Sequence, residues 1–171
     1  MAFYKPVGIT CTSDPTDRDN VIDYIGYPKR IFSVGRLDKD SEGLLLMTND
    51  GDLADGVMRS RHEHEKEYIV AVDKPVTAQF LDGMRNGVLL PDGDTTKKCD
   101  VEIVGPKEFR IILRQGLNRQ IRRMCDTFGY GVVSLKRVRV MNIRLGDMKE
   151  GRCRNITKAE RSELYAMIGK K

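Results

Sequence analysis

No apolar run in these 171 residues approaches the length needed to span a bilayer. One notable short run, Leu44 to Met47, suits a buried strand. A secretory leader is not expected either, because Lys5, Asp14, Asp17, Arg18 and Asp19 interrupt the N-terminal region early. Histidine is scarce: two occur, both in His62-Glu63-His64, which reads as a solvated connection rather than a metal site needing further ligands from elsewhere. The four cysteines, at 11, 99, 125 and 153, form no CxxC pair and lie near no histidine at ligand spacing. They are expected to be reduced, partly buried thiols of a cytoplasmic protein. Internal repeats, low-complexity runs and an obvious interdomain linker are also missing, so the length points to one domain, at most in two lobes. No metal and no cofactor is expected.

What is present is an uneven charge distribution. Residues 110–161 hold 14 Lys/Arg against 4 Asp/Glu, or +10, so the rest of the chain carries −5 of the total +5. Such asymmetry suggests a polyanionic partner, nucleic acid first, although a solvated basic surface would have the same composition. The local patterns are mixed. A short helix is expected over 19–25, strands over 31–34, 44–48 and 68–72, and a short helix after the turn at Asn49-Asp50-Gly51-Asp52. A hairpin of 101–104 with 109–113 crosses Gly105-Pro106, and a strand resumes over 133–140. The clearest element is a helix capped by Asn118 and stopped by Gly129. Ile121, Met124, Cys125 and Phe128 share one of its faces, and Arg119, Arg122, Arg123 and Asp126 the other. Thr157 with Glu160 reads as a capping box for a last helix. Strands outnumber helices, so the class is α+β with a mixed, largely antiparallel sheet.

Between two apolar strands lies the polar loop Gly35-Arg36-Leu37-Asp38-Lys39-Asp40-Ser41-Glu42-Gly43. A carboxylate held there is well placed to act on a ligand, though spacing alone equally fits an idle surface ion pair. The full string from Gly35 to Gly51 closely resembles the signature of the RsuA/RluB/RluE/RluF group of pseudouridine synthases. Four further blocks are similar to the group in order and spacing: Lys5 to Ile9, Lys66-Glu67-Tyr68, Gly116 to Met124, and Leu135 to Ile143. The resemblance runs from about Lys5 to Thr157, and the wording at 116–125 is most like the RluF members, which act on large-subunit ribosomal RNA.

That resemblance implies a pseudouridine synthase catalytic fold with an RNA-binding cleft. It also implies that one uridine is converted to pseudouridine by flipping the base into a pocket. By position, Asp38 matches the catalytic aspartate, Tyr68 the tyrosine that packs on the base, Arg122 the basic partner of the aspartate, and Leu135 the leucine lining the base pocket. Arg36, Asn118, Arg119, Gln120, Arg123, Arg137 and Arg139 are the expected RNA contacts, the arginines chiefly to phosphates. Breaking C1′–N1 and rejoining the base through C5 needs no cofactor. An ionised Asp38 would attack C1′ or take the C2′ proton. Ribosomal RNA is the expected partner, with transfer RNA left open, and the protein is expected to be a monomer with no membrane association. RluF-type relatives carry an N-terminal S4 RNA-binding module and can carry a basic C-terminal tail. No S4 module is expected here, and Lys170-Lys171 is all that resembles the tail. Three other readings share part of the pattern: a non-catalytic RNA-binding module, a synthase of the same group acting on small-subunit or transfer RNA, and a glycosidic hydrolase pairing Asp38 with Asp40 or Glu42.

Overall fold

The computed structural model describes residues 1–59 and 63–169. The chain runs β1 (Ala2–Lys5), α1 (Val21–Ile25), β2 (Phe32–Val34), β3 (Glu42–Thr48), α2 (Gly51–Met58), β4 (Lys66–Val72), α3 (Ala78–Arg85), β5 (Asp100–Gly105) and β6 (Glu108–Leu113). It continues through α4 (Gln120–Thr127), β7 (Val132–Val140), β8 (Ile143–Arg144), β9 (Cys153–Arg154) and α5 (Lys158–Met167). The strands form one sheet in the order β5-β6-β4-β7-β3-β1-β9, with β2 on β3 and β8 on β7. Its pairings are antiparallel except β3 with β7, which run parallel through Glu42↔Lys136 and Gly43↔Arg137. The class is therefore α+β with a mixed, largely antiparallel sheet, as the patterning predicts.

The short parallel seam joins the two halves of the sheet. On one side, β4, β5 and β6 carry a core closed by Phe80 and Met84 of α3 and by Ile121, Met124 and Cys125 of α4. On the other, β3 is covered on both faces. Leu44 and Leu46 enter a core with Leu53, Val57 and Leu164 of α2 and α5, while Leu45 and Met47 enter another with Val21 and Leu37. A strand covered on both faces has no polar side to present, so its sequence reads as an unbroken apolar run. Tyr68 touches the first and third of these cores, which places it at the seam.

Three local expectations change. Helix α3 lies in a stretch where the residue pattern predicts no element; Thr77 caps it by accepting from the Phe80 N–H at 3.1 Å. Asn118 is not the cap of α4: Arg119 occupies that position in a left-handed conformation (φ 47°, ψ 35°) with no side-chain cap. Phe128 is more than a third exposed, and its edge meets the ring of Phe80 with centroids 5.9 Å apart. Gly129 does stop the helix with a positive φ of 75°.

The capping box at Thr157 is formed as expected, and Glu160 also receives two hydrogen bonds of 2.9 Å from Arg154 on β9. The Arg154 guanidinium, with help from Thr157, pulls the Glu160 carboxyl down to about 2. A depressed carboxyl stabilises the fold fully above its unfolded value, and the contribution fades as pH falls through the folded one. Melting temperature should therefore drop more steeply between about pH 4.5 and 2 for the native chain than for Glu160→Gln, which lacks this dependence. Parallel pH–melting curves would exclude the contribution.

Candidate active site

The loop between β2 and β3 is held from several sides. Gly35 turns the chain with φ 75°. Leu37 is buried, and its N–H donates to Cys11 Sγ at 3.3 Å. The Gly8 N–H donates to the Lys39 carbonyl at 2.7 Å, and the Ser41 N–H to the Asp38 carbonyl at 3.0 Å. Beneath it, Arg137 donates from Nε to the Leu44 carbonyl at 2.8 Å and from Nη1 to the Arg36 carbonyl at 3.4 Å. The buried ammonium of Lys5 is held by the Pro6 and Ile9 carbonyls, both at 2.8 Å. Burial lowers the Lys5 pKa, while Cys11, Asp38, Asp40 and Glu42 oppose that shift.

The loop forms one wall of a cavity of about 470 Å³ that brings Asp38, Tyr68, Arg122 and Leu135 together. Arg36 and Asn118 lie exposed at its lining. The Asp38 side chain is 38% exposed, with Oδ2 3.5 Å from the Arg119 guanidinium. Tyr68 is half-buried and Leu135 is 7% exposed, so an aromatic ring and an apolar side chain stand in the same cavity as the carboxylate.

The expected Arg122–Asp38 pair is not formed. Arg122 Nη2 instead donates to the Asp40 carbonyl at 3.0 Å and the Ser41 hydroxyl at 3.1 Å, and lies 3.5 Å from Asp40 Oδ1. Arg119, one helical turn earlier, takes both Asp40 oxygens at 3.0 and 2.9 Å and is also the guanidinium near Asp38. Its left-handed backbone swings it over the loop, while Arg122, regular in the helix, meets the loop's main chain. The Asp40 carboxyl is held below its usual range first by the Arg119 hydrogen bond.

Several expected RNA contacts are also corrected. Arg139 is 9% exposed and occupied by Glu67 (2.7 Å), Glu65 (3.0 Å) and the Met141 carbonyl (2.8 Å). Arg137 is 3% exposed, and its Nε and Nη1 donate to main-chain carbonyls. Gln120 is 4% exposed and folds back to accept from the Leu117 N–H at 3.1 Å. Arg123 is paired with Asp92 and donates to the Asn118 carbonyl at 3.0 Å. More broadly, the basic stretch folds against acidic residues from elsewhere in the chain. Arg110 meets Glu67 and Glu102, and Arg114 meets Glu65 and Asp100. Much of the +10 is therefore neutralised within the fold. His62, Lys170 and Lys171, part of the metal and tail readings, lie outside the described residues. The His64 ring shares a hydrogen bond with the Gly56 carbonyl at 3.1 Å.

The arrangement suits chemistry at a sugar–base unit: a carboxylate open to a cavity, a ring for stacking, and guanidinium groups at the rim. A two-carboxylate arrangement is not set up. Asp40 is clamped by Arg119, and Glu42 accepts the Tyr4 hydroxyl at 2.6 Å. Residue patterns do not single out Ser41 or Lys66, both of which line the cavity. The motif strings contain them, but no spacing rule separates them from their neighbours.

Comparison with known proteins identifies the family. The family model described as RNA pseudouridylate synthase matches residues 1–127. The dual-specificity RNA pseudouridine synthase RluF of Salmonella typhi is 50% identical over 168 residues, 98% of this chain, which spans 58% of that protein's length. The ribosomal large subunit pseudouridine synthase B of Bacillus subtilis is 34% identical, covering 96% of this chain and 70% of its own. A crystal structure of a pseudouridylate synthase superposes with a TM-score of 0.89 at 30% identity, over 95% of this chain and 72% of that one. With the family model over most of its length and relatives of this identity and fold, the chain belongs to the RNA pseudouridylate synthase family.

Proposed function

We propose that this chain isomerises a uridine to pseudouridine in large-subunit ribosomal RNA, with Asp38 acting at the ribose of a flipped nucleotide. The observation that carries this reading is the Asp38 carboxylate opening into the same cavity as Tyr68 and Leu135. As an anion, Asp38 attacks C1′ or removes the C2′ proton; in either route C1′–N1 breaks, the base turns, and C5 bonds to C1′. Tyr68 stacks on the uracil and Leu135 limits its movement, which keeps the detached base from escaping. Arg119 supplies the guanidinium beside Asp38. Arg122 acts through the loop main chain, and Arg36 and Asn118 face the RNA. The large-subunit target is supported by the motif wording at 116–125 and by the name of the Bacillus relative. Transfer RNA as a second substrate, a monomeric state and a cytoplasmic location belong to the same reading. No described helix is long and apolar enough to cross a membrane.

Nucleoside chromatography of ribosomal RNA fragments after incubation with the protein tests the reaction. Pseudouridine should appear at the expense of uridine. Free uracil would instead indicate hydrolysis, and unchanged nucleosides on every fragment would indicate a binding module. Arg122→Ala should lower the single-turnover rate about 10- to 100-fold, because displacing a reacting group by about 1 Å is enough for such a loss. A rate equal to that of the native chain would show that the loop holds its geometry without Arg122.

A further inference from the structure

The floor of the cavity carries more positive charge than the protein itself balances. Lys66 and Tyr68 both line the cavity from β4. Among the described residues, no hydrogen bond or ion pair reaches the Lys66 ammonium. The acidic residues on either side of it in the chain are already engaged: Glu65 pairs with Arg114 and Arg139, and Glu67 with Arg110 and Arg139. Lys66 is nonetheless half-buried, and burial, reinforced by the nearby Arg137 charge, lowers its pKa. Two other residues of the same cavity hold buried donors with no acceptor, Arg137 Nη2 and Arg122 Nε.

Unpaired donors and a half-desolvated charge are costly in a folded protein. Their concentration in a cleft is characteristic of a site completed by its ligand. The missing partner must be rich in acceptors and able to carry negative charge. A phosphate of the RNA backbone would meet the exposed rim, at Arg36 and Arg119, before it reached a strand of the floor. The group that enters a base pocket is the base itself. Uracil has two carbonyl oxygens, and it becomes anionic when C1′–N1 breaks with the electron pair remaining on the ring.

We infer that Lys66 is a further catalytic residue that donates a hydrogen bond to a uracil carbonyl oxygen and strengthens it as the base leaves the ribose. This rests on the uridine-isomerase reading above. Lys66 transfers no proton. The negative charge spreads over N1 and the carbonyl oxygens. When the C5 electron pair forms the bond to C1′, the charge returns to Asp38, which leaves C1′ or gives its proton back to C2′. The now neutral base loses its C5 proton to water and gains one at N1. An interaction that strengthens with developing charge lowers the barrier rather than tightening ground-state binding.

The test measures single-turnover rates at saturating RNA for the native chain, Lys66→Met, Lys66→Gln and Lys66→Arg, alongside RNA affinity. Loss of the charged donor should slow Lys66→Met about 10²- to 10³-fold, and Lys66→Gln, which keeps only a shorter neutral N–H donor, at least about tenfold. RNA affinity should stay within about threefold, and Lys66→Arg, which keeps a donor and the charge, should recover at least about tenfold. A second substrate separates catalysis from structure. RNA carrying 5-fluorouridine releases a less basic ring that needs less stabilisation, so the defect, followed as loss of 5-fluorouridine by chromatography, should shrink. Rates within about threefold of native for Lys66→Met would overturn the inference, as would a defect of equal size on both substrates. If Lys66→Met does not fold, Lys66→Gln carries the same comparison. An inactive native chain would instead count against the uridine-isomerase reading itself.

Discussion

Asp38→Asn is expected to reduce turnover by about 10⁴-fold or more while leaving the fold intact. An amide of nearly the same shape can neither attack C1′ nor accept the C2′ proton, so both routes close together. The rest of the protein barely registers the change. The side chain is 38% exposed, and its one charged contact among the described residues is Arg119 at 3.5 Å. The loop's own turn uses the Asp38 main-chain carbonyl, which the substitution keeps. Stability should stay within about 0.5 kcal/mol of native, since exposed pairs at such distances contribute little. Single-turnover kinetics, thermal melting and RNA affinity measured on one preparation separate these effects. Retained turnover would remove Asp38 from the chemistry.

Gly43→Ala should have the largest effect on stability. A Cβ built there meets the Arg137 carbonyl oxygen at 2.3 Å and its nitrogen at 2.6 Å, and the backbone sits at φ 113°. Both the strained conformation and the clash fall on the parallel seam between β3 and β7, whose spacing sets the loop of Asp38 above the strand of Leu135. The neighbouring atoms are main chain within a sheet and cannot turn aside as a side chain could. A loss of about 3–5 kcal/mol is expected in denaturant unfolding, combining overpacking with backbone strain. Gly51→Ala is the control. It has no atom within 4 Å of the new Cβ and sits at the start of α2, so it should be neutral or slightly stabilising. Equal stability of the two variants would contradict the close approach at the seam.

Patterns that depend on near neighbours are legible in the amino-acid sequence. The apolar run of β3, the apolar face of α4, the Thr157–Glu160 capping box and the turn after Thr48 each follow from spacing within one element. So does the presence of a polar loop around Asp38, although its role comes from the resemblance. The errors arise where long-range pairing decides. Arg137 and Arg139 are expected to meet RNA phosphates, but β7 lies between β4 and β3, and most of their donors are turned to Glu65, Glu67 and main-chain carbonyls. Arg119 and Arg122 stand one helical turn apart, and Asp38 and Asp40 two residues apart. Spacing therefore leaves open which guanidinium meets which carboxylate. The left-handed backbone at Arg119 decides it, and no side-chain pattern announces that conformation. Helix α3 is within reach of such patterns: Thr77 with buried Phe80, Leu81 and Met84 is a capped, amphipathic arrangement, but a short one.

Release of tritium from RNA labelled at uridine C5 probes the central claim most directly, because rejoining the base through that carbon must break the C5–H bond. The native chain should release tritium to water from a large-subunit ribosomal RNA fragment in step with pseudouridine formation, and Asp38→Asn should release none. No release by the native chain from any ribosomal RNA fragment, or release that continues undiminished in Asp38→Asn, would contradict it.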